Sequence, residues 1–168
     1  MLLVLQIATT FLVSVAFGLA LAHALEMPGK MRLDEETYLA VQTIYYPGFT
    51  IGGASEPLAI VAIIVLLLLV PVGTPAFWLT VTAMVTLSAM QSLFWVITQP
   101  VNRYWLRSQQ LKGLGAKFFS VDAKRRPTEG EDDSRDWKEM RDRWEYSHLV
   151  RAILSGIALV ALLVATVV

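Results

Sequence analysis

The sequence lacks cysteine and has only two histidines, and these two shortages exclude several kinds of chemistry. Without cysteine the chain can form no disulfide, thiolate nucleophile, iron–sulfur cluster or cysteine-ligated zinc site. Any imidazole chemistry must use His23, His148 or both.

Charged residues are also scarce, at 17% of 168 residues, whereas hydrophobic residues make up 55%. Fourteen basic and fourteen acidic side chains cancel, so the charge balance gives no sign of a nucleic-acid partner. A chain of this size with so apolar a composition is typical of a small polytopic membrane protein. Its first expected partner is therefore the lipid bilayer.

Four apolar segments are candidates for membrane spans, at about residues 2–25, 57–71, 75–99 and 147–168. We expect one integral-membrane domain over residues 1–168, an all-α four-helix transmembrane bundle. Four spans place loops 26–56 and 100–146 on the same side, and these loops hold nearly every Lys and Arg. The positive-inside rule then predicts cytoplasmic loops and external termini, in a bacterial inner membrane.

The first long loop predicts a short helix lying on the cytoplasmic interface. Met27-Pro28-Gly29 is expected to stop the first span, and Asp34 is a good N-cap for a helix that follows it. Tyr38, Gln42 and Tyr45 come next at helical spacing. This pattern indicates an aromatic-anchored lid, and Gln42 and Tyr45 could also contact a substrate.

The second and third spans differ in polarity. The second, predicted to begin after an N-cap at Ser55 and an early Pro57, carries no polar side chain, which predicts a wall facing lipid or a larger membrane complex. The third carries a stripe at intervals of three or four residues: Ser88, Gln91, Trp95, Gln99 and Asn102. Pro100 predicts a kink that turns Asn102 inward.

The last span is expected to continue a cytoplasmic extension of the same helix. Trp144, His148, Arg151 and Ser155 fall at i, i+4, i+7 and i+11, on a single face. By length, Arg151 lies about one turn inside the membrane. An intramembrane Arg is costly unless it is paired, so this face marks a functional site.

Topology brings polar residues from three spans to one depth: His23, Glu26, Asn102, Arg103, Trp144, His148 and Arg151. The expected result is a pocket open to the cytoplasm and walled by Trp95 and Trp144. An apolar aromatic or quinone-like molecule would suit it.

Two motifs carry a resemblance to a known family. Gln99-Pro100-Val101-Asn102-Arg103 ends the third span, and Trp144, three residues, His148, two residues and Arg151 open the fourth. This pattern resembles the anthrone oxygenase-like family of small four-span membrane proteins. The resemblance implies that Asn102, Trp144, His148 and Arg151 are signature positions. Fungal members are associated with oxidising an anthrone to an anthraquinone with molecular oxygen, with no established metal or flavin.

The chemistry of an oxygenase without a cofactor requires a base and a cation. A base removes a proton from an activated carbon acid, and a cation holds the resulting enolate while oxygen accepts an electron. His148 as base and Arg151 as cation meet that demand, and Asn102 and Trp144 complete the predicted catalytic set. The predicted substrate contacts are His23, Glu26, Trp95, Gln99, Gln42 and Tyr45. The alternative for His148 and Arg151 is a structural clasp between helices.

Other functions remain compatible with the sequence. His23, Glu26 and His148 offer the ligand set of a non-haem iron site, and two His at one depth could hold a haem, although we predict no cofactor. The alternative to an enzyme is a non-catalytic accessory subunit or structural partner of a larger membrane complex. The partner in the membrane could be such a complex or a second copy of the chain in a homo-oligomer.

Overall fold

The computed structural model describes residues 1–45, 47–105 and 137–168, with the side chains of 103–105 excepted. Its helices are α1 (Leu2–Lys30), α2 (Glu35–Gln42), α3 (Gly48–Gly53), α4 (Ser55–Leu69), α5 (Pro75–Leu93), α6 (Gln99–Trp105) and α7 (Trp137–Ala165). A 3₁₀ turn, Thr43–Tyr45, follows α2, and a π-helical turn, Phe94–Thr98, joins α5 to α6. The described residues contain no strand, so the prediction of an all-α fold is confirmed.

Four helical stretches are long and apolar enough to cross a membrane: Leu2–Lys30, Gly48–Leu69, Pro75–Asn102 and Trp137–Ala165. Their shared core contains small and aliphatic side chains such as Val13, Ala16, Ile63 and Leu87. Small residues let membrane helices approach closely, which is how such bundles gain packing energy without a hydrophobic driving force. The predicted four-helix membrane bundle is therefore confirmed.

Two predicted helix boundaries are wrong. The Met27-Pro28-Gly29 stretch does not stop α1, because Pro28 lies inside a helix that runs on to Lys30. Lys30 is buried and ion-paired, and this tertiary contact outweighs the backbone hydrogen bond that Pro28 removes. Ser55 does not cap α4, because α3 leads almost directly into it and Ala54 holds the cap position. The second span is accordingly longer than residues 57–71.

Other local predictions are confirmed. The Asp34 side chain accepts from the Thr37 N–H at 2.9 Å and so caps α2. Thr74 followed by Pro75 predicts an N-cap with proline at the first helical position, and Thr74 accepts from the Phe77 N–H at 3.2 Å to cap α5. Near Pro100 the helix changes to a π turn, in which the Gln99 N–H bonds the Phe94 carbonyl. π turns of this kind re-aim side chains within long helices. Thr98 and Gln99 are buried on the side of this turn that faces the bundle.

Candidate functional site

Buried polar side chains concentrate at one end of the bundle, where α1 finishes and α4 begins; we call it the loop end. Of the nine buried side-chain N and O atoms without a hydrogen bond in the described part of the chain, eight lie there and only Thr10 Oγ1 does not. The other eight belong to His23, Lys30, Gln42, Ser55, Gln99 (two atoms), Glu145 and Arg151. Lys30 Nζ is nevertheless ion-paired with Glu145. Buried polar atoms without a hydrogen bond are rare in folded proteins, and their clustering marks a candidate site.

Arg151 on α7 is paired with Glu56 on α4. One guanidinium nitrogen donates to Glu56 Oε1, and both side chains are buried. The Gln91 amide can be oriented so that both of its polar atoms are hydrogen-bonded. In this orientation the Gln91 nitrogen donates to Glu56 Oε2 at 2.8 Å, and the Gln91 oxygen accepts from Trp95 Nε1 at 3.0 Å. Each carboxylate oxygen therefore has a donor, as a buried charge requires.

The interpretation of the second span as a wall without polar groups is therefore wrong. Glu56 is the partner of Arg151, whereas membrane depth along the sequence predicts Glu26, Asn102 or Gln99 for that role. Because α3 extends the span back to Gly48, Glu56 lies within the helical stretch and is buried against α7.

Both ring nitrogens of His148 are hydrogen-bonded. Nε2 lies 3.2 Å from Arg151 Nη1, and Nδ1 lies 2.9 Å from the Trp144 carbonyl. A guanidinium can only donate, so Nε2 is the acceptor and Nδ1 carries the proton that it donates to the carbonyl. The neighbours thus fix one neutral tautomer, and the lone pair that a general base would use already accepts from Arg151.

His23 is surrounded by rings, and the polar side-chain atom beside its Nδ1 is Glu26 Oε2, at 3.9 Å, which is too far for a hydrogen bond. Its ring centroid lies 4.3 Å from that of His148, 4.5 Å from Tyr45, 4.6 Å from Phe49 and 4.8 Å from Trp144. The side chain is buried, at 5% exposure, and Nδ1 has no hydrogen bond in the described part of the chain. The prediction that the first and fourth spans meet at this level is confirmed by the contact between the two imidazoles.

A second set of charges lies beside the histidines, and sequence reasoning missed most of it. Lys30 Nζ lies 3.1 Å from Glu145 Oε1 and 3.6 Å from Glu26 Oε2. Tyr38 donates to Glu145 at 2.9 Å, and Tyr45 donates to Glu26 at 2.5 Å. Burial, followed by the neighbouring carboxylates, raises the pKa of both phenols far above the usual range, so both remain donors.

Lys30 also connects this set to the indole of Trp144. Its ammonium lies 4.6 Å from the centroid of the Trp144 ring, within the range of a cation–π contact. The sequence did not predict Lys30 as a site residue, because Pro28 was expected to end the first helix before it. Glu145 could have been found, since it directly follows Trp144 in a helix that was predicted to carry a polar face.

Hydrogen bonds from α7 also fix α6. Trp144 Nε1 donates to Asn102 Oδ1 at 2.7 Å, and Thr98 and Ser147 share a hydroxyl bond of 2.9 Å. Because Ser147 donates its own proton to the Trp144 carbonyl, Thr98 is the donor in that bond. The predicted proximity of Asn102 and Trp144 is thus present as a direct contact.

Replacing Asn102 by leucine is expected to destabilise the protein by about 1–3 kcal/mol, because the buried indole N–H loses its acceptor. Thermal unfolding in detergent measures the change. Ser92→Ala is the control, since the Ser92 hydroxyl bonds only its own helix at an exposed position. Equal stability of the two variants would contradict a structural role for the Asn102 contact.

The other residues predicted to contact a substrate are less closely grouped than the rings around the two histidines. Gln99 is 1% exposed, and neither amide atom has a hydrogen-bond partner among the described residues. Trp95 is 46% exposed, with its ring beside Phe94, and does not wall an enclosed pocket. Gln42 is half-buried on α2. The predicted position of the Arg103 side chain lies outside the described residues.

The predicted pocket beside the histidines is closed, because the rings of Tyr45 and Phe49 cover His23. An open groove of about 370 Å³ lies elsewhere, between α1 and α7, and its lining is apolar: Phe17, Leu21, Ala24, Leu25, Leu149, Ala152, Ile153 and Gly156. Three of these, Ala24, Leu149 and Ala152, are sequence neighbours of His23, His148 and Arg151 respectively.

His23, Glu26 and His148, the set that could supply an iron site, do not form a group of metal ligands in the described part of the chain. No group of three or more His, Asp or Glu within residues 1–45, 47–102 and 137–168 could hold a metal ion. In this arrangement the Nε2 lone pair of His148 accepts from Arg151, and Nδ1 carries a proton.

Comparison with known proteins agrees with this architecture. The sequence matches the anthrone oxygenase family over residues 42–161, a range that holds Glu56, Asn102, Trp144, His148 and Arg151. No curated protein and no solved structure matches the chain. Since the match covers well over half of the sequence and the four apolar helices fit a small membrane protein, the chain belongs to the anthrone oxygenase family.

Proposed function

We propose that this protein is a membrane oxygenase that converts the activated methylene of an anthrone-type aromatic ketone into a carbonyl group, using molecular oxygen. The observation that carries the proposal is His23, a buried imidazole with an unpartnered Nδ1 among four aromatic rings. Such a site offers a base together with ring surfaces for a flat carbon acid.

The proposed reaction balances without an added reductant. His23 removes one methylene proton, the carbanion transfers an electron to oxygen, and the two radicals join as a peroxide, which takes up the proton held by His23. Removal of the second C–H proton then expels hydroxide by breaking the O–O bond, and hydroxide is protonated to water. One ketone methylene and one oxygen molecule give one quinone carbonyl and one water.

Lys30 and Arg151 are the cations available to the anion that forms. Arg151 is neutralised by Glu56 and donates to His148, so it supports the imidazole pair. Lys30 is also paired with carboxylates, those of Glu145 and Glu26, but it lies directly against Trp144, whose ring contacts that of His23. A buried ammonium close to a developing enolate or superoxide stabilises it more strongly than it would in water. We therefore assign the base to His23 and a positioning role to His148.

Purified protein in lipid nanodiscs tests the proposal with anthrone as the probe. Oxygen uptake and anthraquinone absorbance are followed together, and the spontaneous oxidation in empty nanodiscs is subtracted. We expect one oxygen consumed per quinone and a ¹⁸O label from ¹⁸O₂ in the new carbonyl. Glu36→Gln, at an exposed position of α2, is the control and should match the natural protein.

A different outcome would contradict the proposed oxygenase function. If the natural protein fails to accelerate anthrone oxidation and instead co-purifies with a larger membrane complex in mild detergent, it is an accessory subunit. The apolar faces of its helices would then be packing surfaces for that complex.

The proposed orientation puts both termini outside and the loop end in the cytoplasm. Four spans require the termini to share one side, and Lys30 and Arg32 add positive charge at the other. An alkaline phosphatase fused to the C-terminus should be active, and a green fluorescent protein fused there should be dark. The reverse pattern would contradict this orientation.

A further inference from the structure

We propose that Tyr45 occupies a phenol-binding subsite, and that residues 31–45 and 47–54 form a lid which a hydroxylated aromatic ligand must displace. The inference rests on the proposed function for the identity of the reacting ligand. The supporting observation is independent of that function, because it is the set of contacts that hold the Tyr45 phenol beside His23.

Tyr45 is bound as a ligand would be bound. Its ring meets His23 edge-on at 4.5 Å, lies 5.0 Å from Phe49 and stacks at 6.1 Å on Trp144 with an angle of 29° between the planes. Lys30 Nζ lies 5.3 Å from the ring centroid, and the hydroxyl donates to Glu26 Oε2 at 2.5 Å. Together these groups recognise both the face and the hydroxyl of a phenol.

A ligand can reach His23 only if one of the covering rings moves. Trp144 is fixed by its bond to Asn102, and His148 is fixed by Arg151 and the Trp144 carbonyl. The other two rings, Tyr45 and Phe49, belong to the lid. The element that opens is therefore the lid and not the helix bundle.

The lid packs on the bundle through an aromatic and aliphatic cluster that includes Val101, Met140 and Trp144. Among its described residues only Tyr38 and Tyr45 are buried, and α3 has no buried residue at all. Both tyrosines donate to a carboxylate on a long helix, Tyr38 to Glu145 on α7 and Tyr45 to Glu26 on α1. Opening it separates these side chains, with the partly buried Leu33, Leu39, Val41 and Phe49, from the bundle and breaks the two phenol–carboxylate bonds.

Glu26 suits the exchange of one phenol for another. Its side chain is 42% exposed, so a ligand hydroxyl can approach it once Tyr45 leaves, and Lys30 at 3.6 Å balances its charge. Burial raises the pKa of Tyr45, which keeps this phenol protonated in the closed lid. The proton on an incoming phenol would satisfy the same carboxylate oxygen.

Binding of 2-naphthol and its methyl ether, 2-methoxynaphthalene, tests the inference. Equilibrium dialysis against protein in nanodiscs measures both affinities, with empty nanodiscs subtracted. The natural protein should prefer the naphthol by about tenfold or more, the usual effect of a hydrogen bond to a charged acceptor. Glu26→Gln should remove most of that preference. Tyr45→Phe should tighten the binding of both probes by a similar factor, roughly tenfold, and keep the preference for the naphthol, because either ligand displaces the ring and the Tyr45–Glu26 bond no longer has to be broken.

Tyr38→Phe is the matched control. It removes a similar phenol–carboxylate bond from the same lid, but at Glu145, so it should shift both probes by the same factor. Equal affinity of the two probes for the natural protein, or an unchanged affinity of both probes in Tyr45→Phe, would overturn the inference. Neither probe has an activated methylene, so the binding result is separate from turnover. Normal discrimination without anthrone oxidation would count against the proposed function alone.

Discussion

Replacing His23 by phenylalanine is expected to lower anthrone oxidation by about 10²- to 10⁴-fold, the usual contribution of a general base. Phenylalanine keeps a ring in contact with Tyr45, Phe49, Trp144 and His148. Since His23 Nδ1 makes no hydrogen bond in the described part of the chain, its loss leaves no partner unsatisfied there. The change in the free energy of unfolding should stay below about 1.5 kcal/mol.

The His148→Phe variant is the comparison for His23→Phe, because it separates a loss of stability from a loss of the catalytic base. It removes the acceptor of Arg151 Nη1 and a donor to the Trp144 carbonyl, so it should destabilise the protein by about 1–3 kcal/mol. Turnover per folded molecule and thermal unfolding, measured on the same preparations, separate the two effects. If His23→Phe retains full turnover while His148→Phe folds well and is inactive, the base is His148, as the sequence alone suggested.

Replacing Arg151 by alanine is expected to reduce stability by about 3–5 kcal/mol, because the buried Glu56 carboxylate loses its cation. Arg143→Ala is the control on the same helix. Its partner, Glu139, is 3.9 Å away, and both side chains are more than half exposed, so the loss should be at most about 1 kcal/mol. Similar unfolding temperatures for the two variants would show that the buried pair has no special weight.

Two further variants separate a structural clasp from a positioning role for Arg151. Arg151→Lys keeps the charge but loses the planar fork, which donates to Glu56 and His148 at once. A purely structural pair predicts near-normal turnover in Arg151→Lys. A positioning role predicts a folded protein with lower turnover. The double variant Glu56→Leu/Arg151→Met should be more stable than Arg151→Ala, because no charge is left buried alone.

The fold could be predicted from the sequence because membrane spans are governed by length and hydropathy. The hydrocarbon interior requires every backbone group to be bonded within its own helix, so an apolar run of sufficient length can only be a span. Caps at Asp34 and Thr74 followed from equally local chemistry. Pro28 and Ser55 did not, because at both places a tertiary contact or a neighbouring helix outweighed the local signal.

The sequence also placed much of the site by depth alone. The polar face of α7 and the ends of α1 and the third span were expected to meet, and Trp144 does contact both Asn102 and His23. Depth, however, fixes only one coordinate. It does not say which helices are neighbours around the bundle, and so it could not identify Glu56 as the partner of Arg151.

By itself, then, the sequence determined the number of spans, the shared level of the polar residues and the family resemblance, because these depend on spacing along the chain. Only the tertiary structure decided which acid meets which base. Lys30 joins Glu26 and Glu145, and Arg151 fixes the tautomer of His148. His23 Nδ1 makes no hydrogen bond to any residue that the structure describes. Hydrogen bonds act over about 3 Å, so their pairing depends on helix rotation and packing, which hydropathy does not encode.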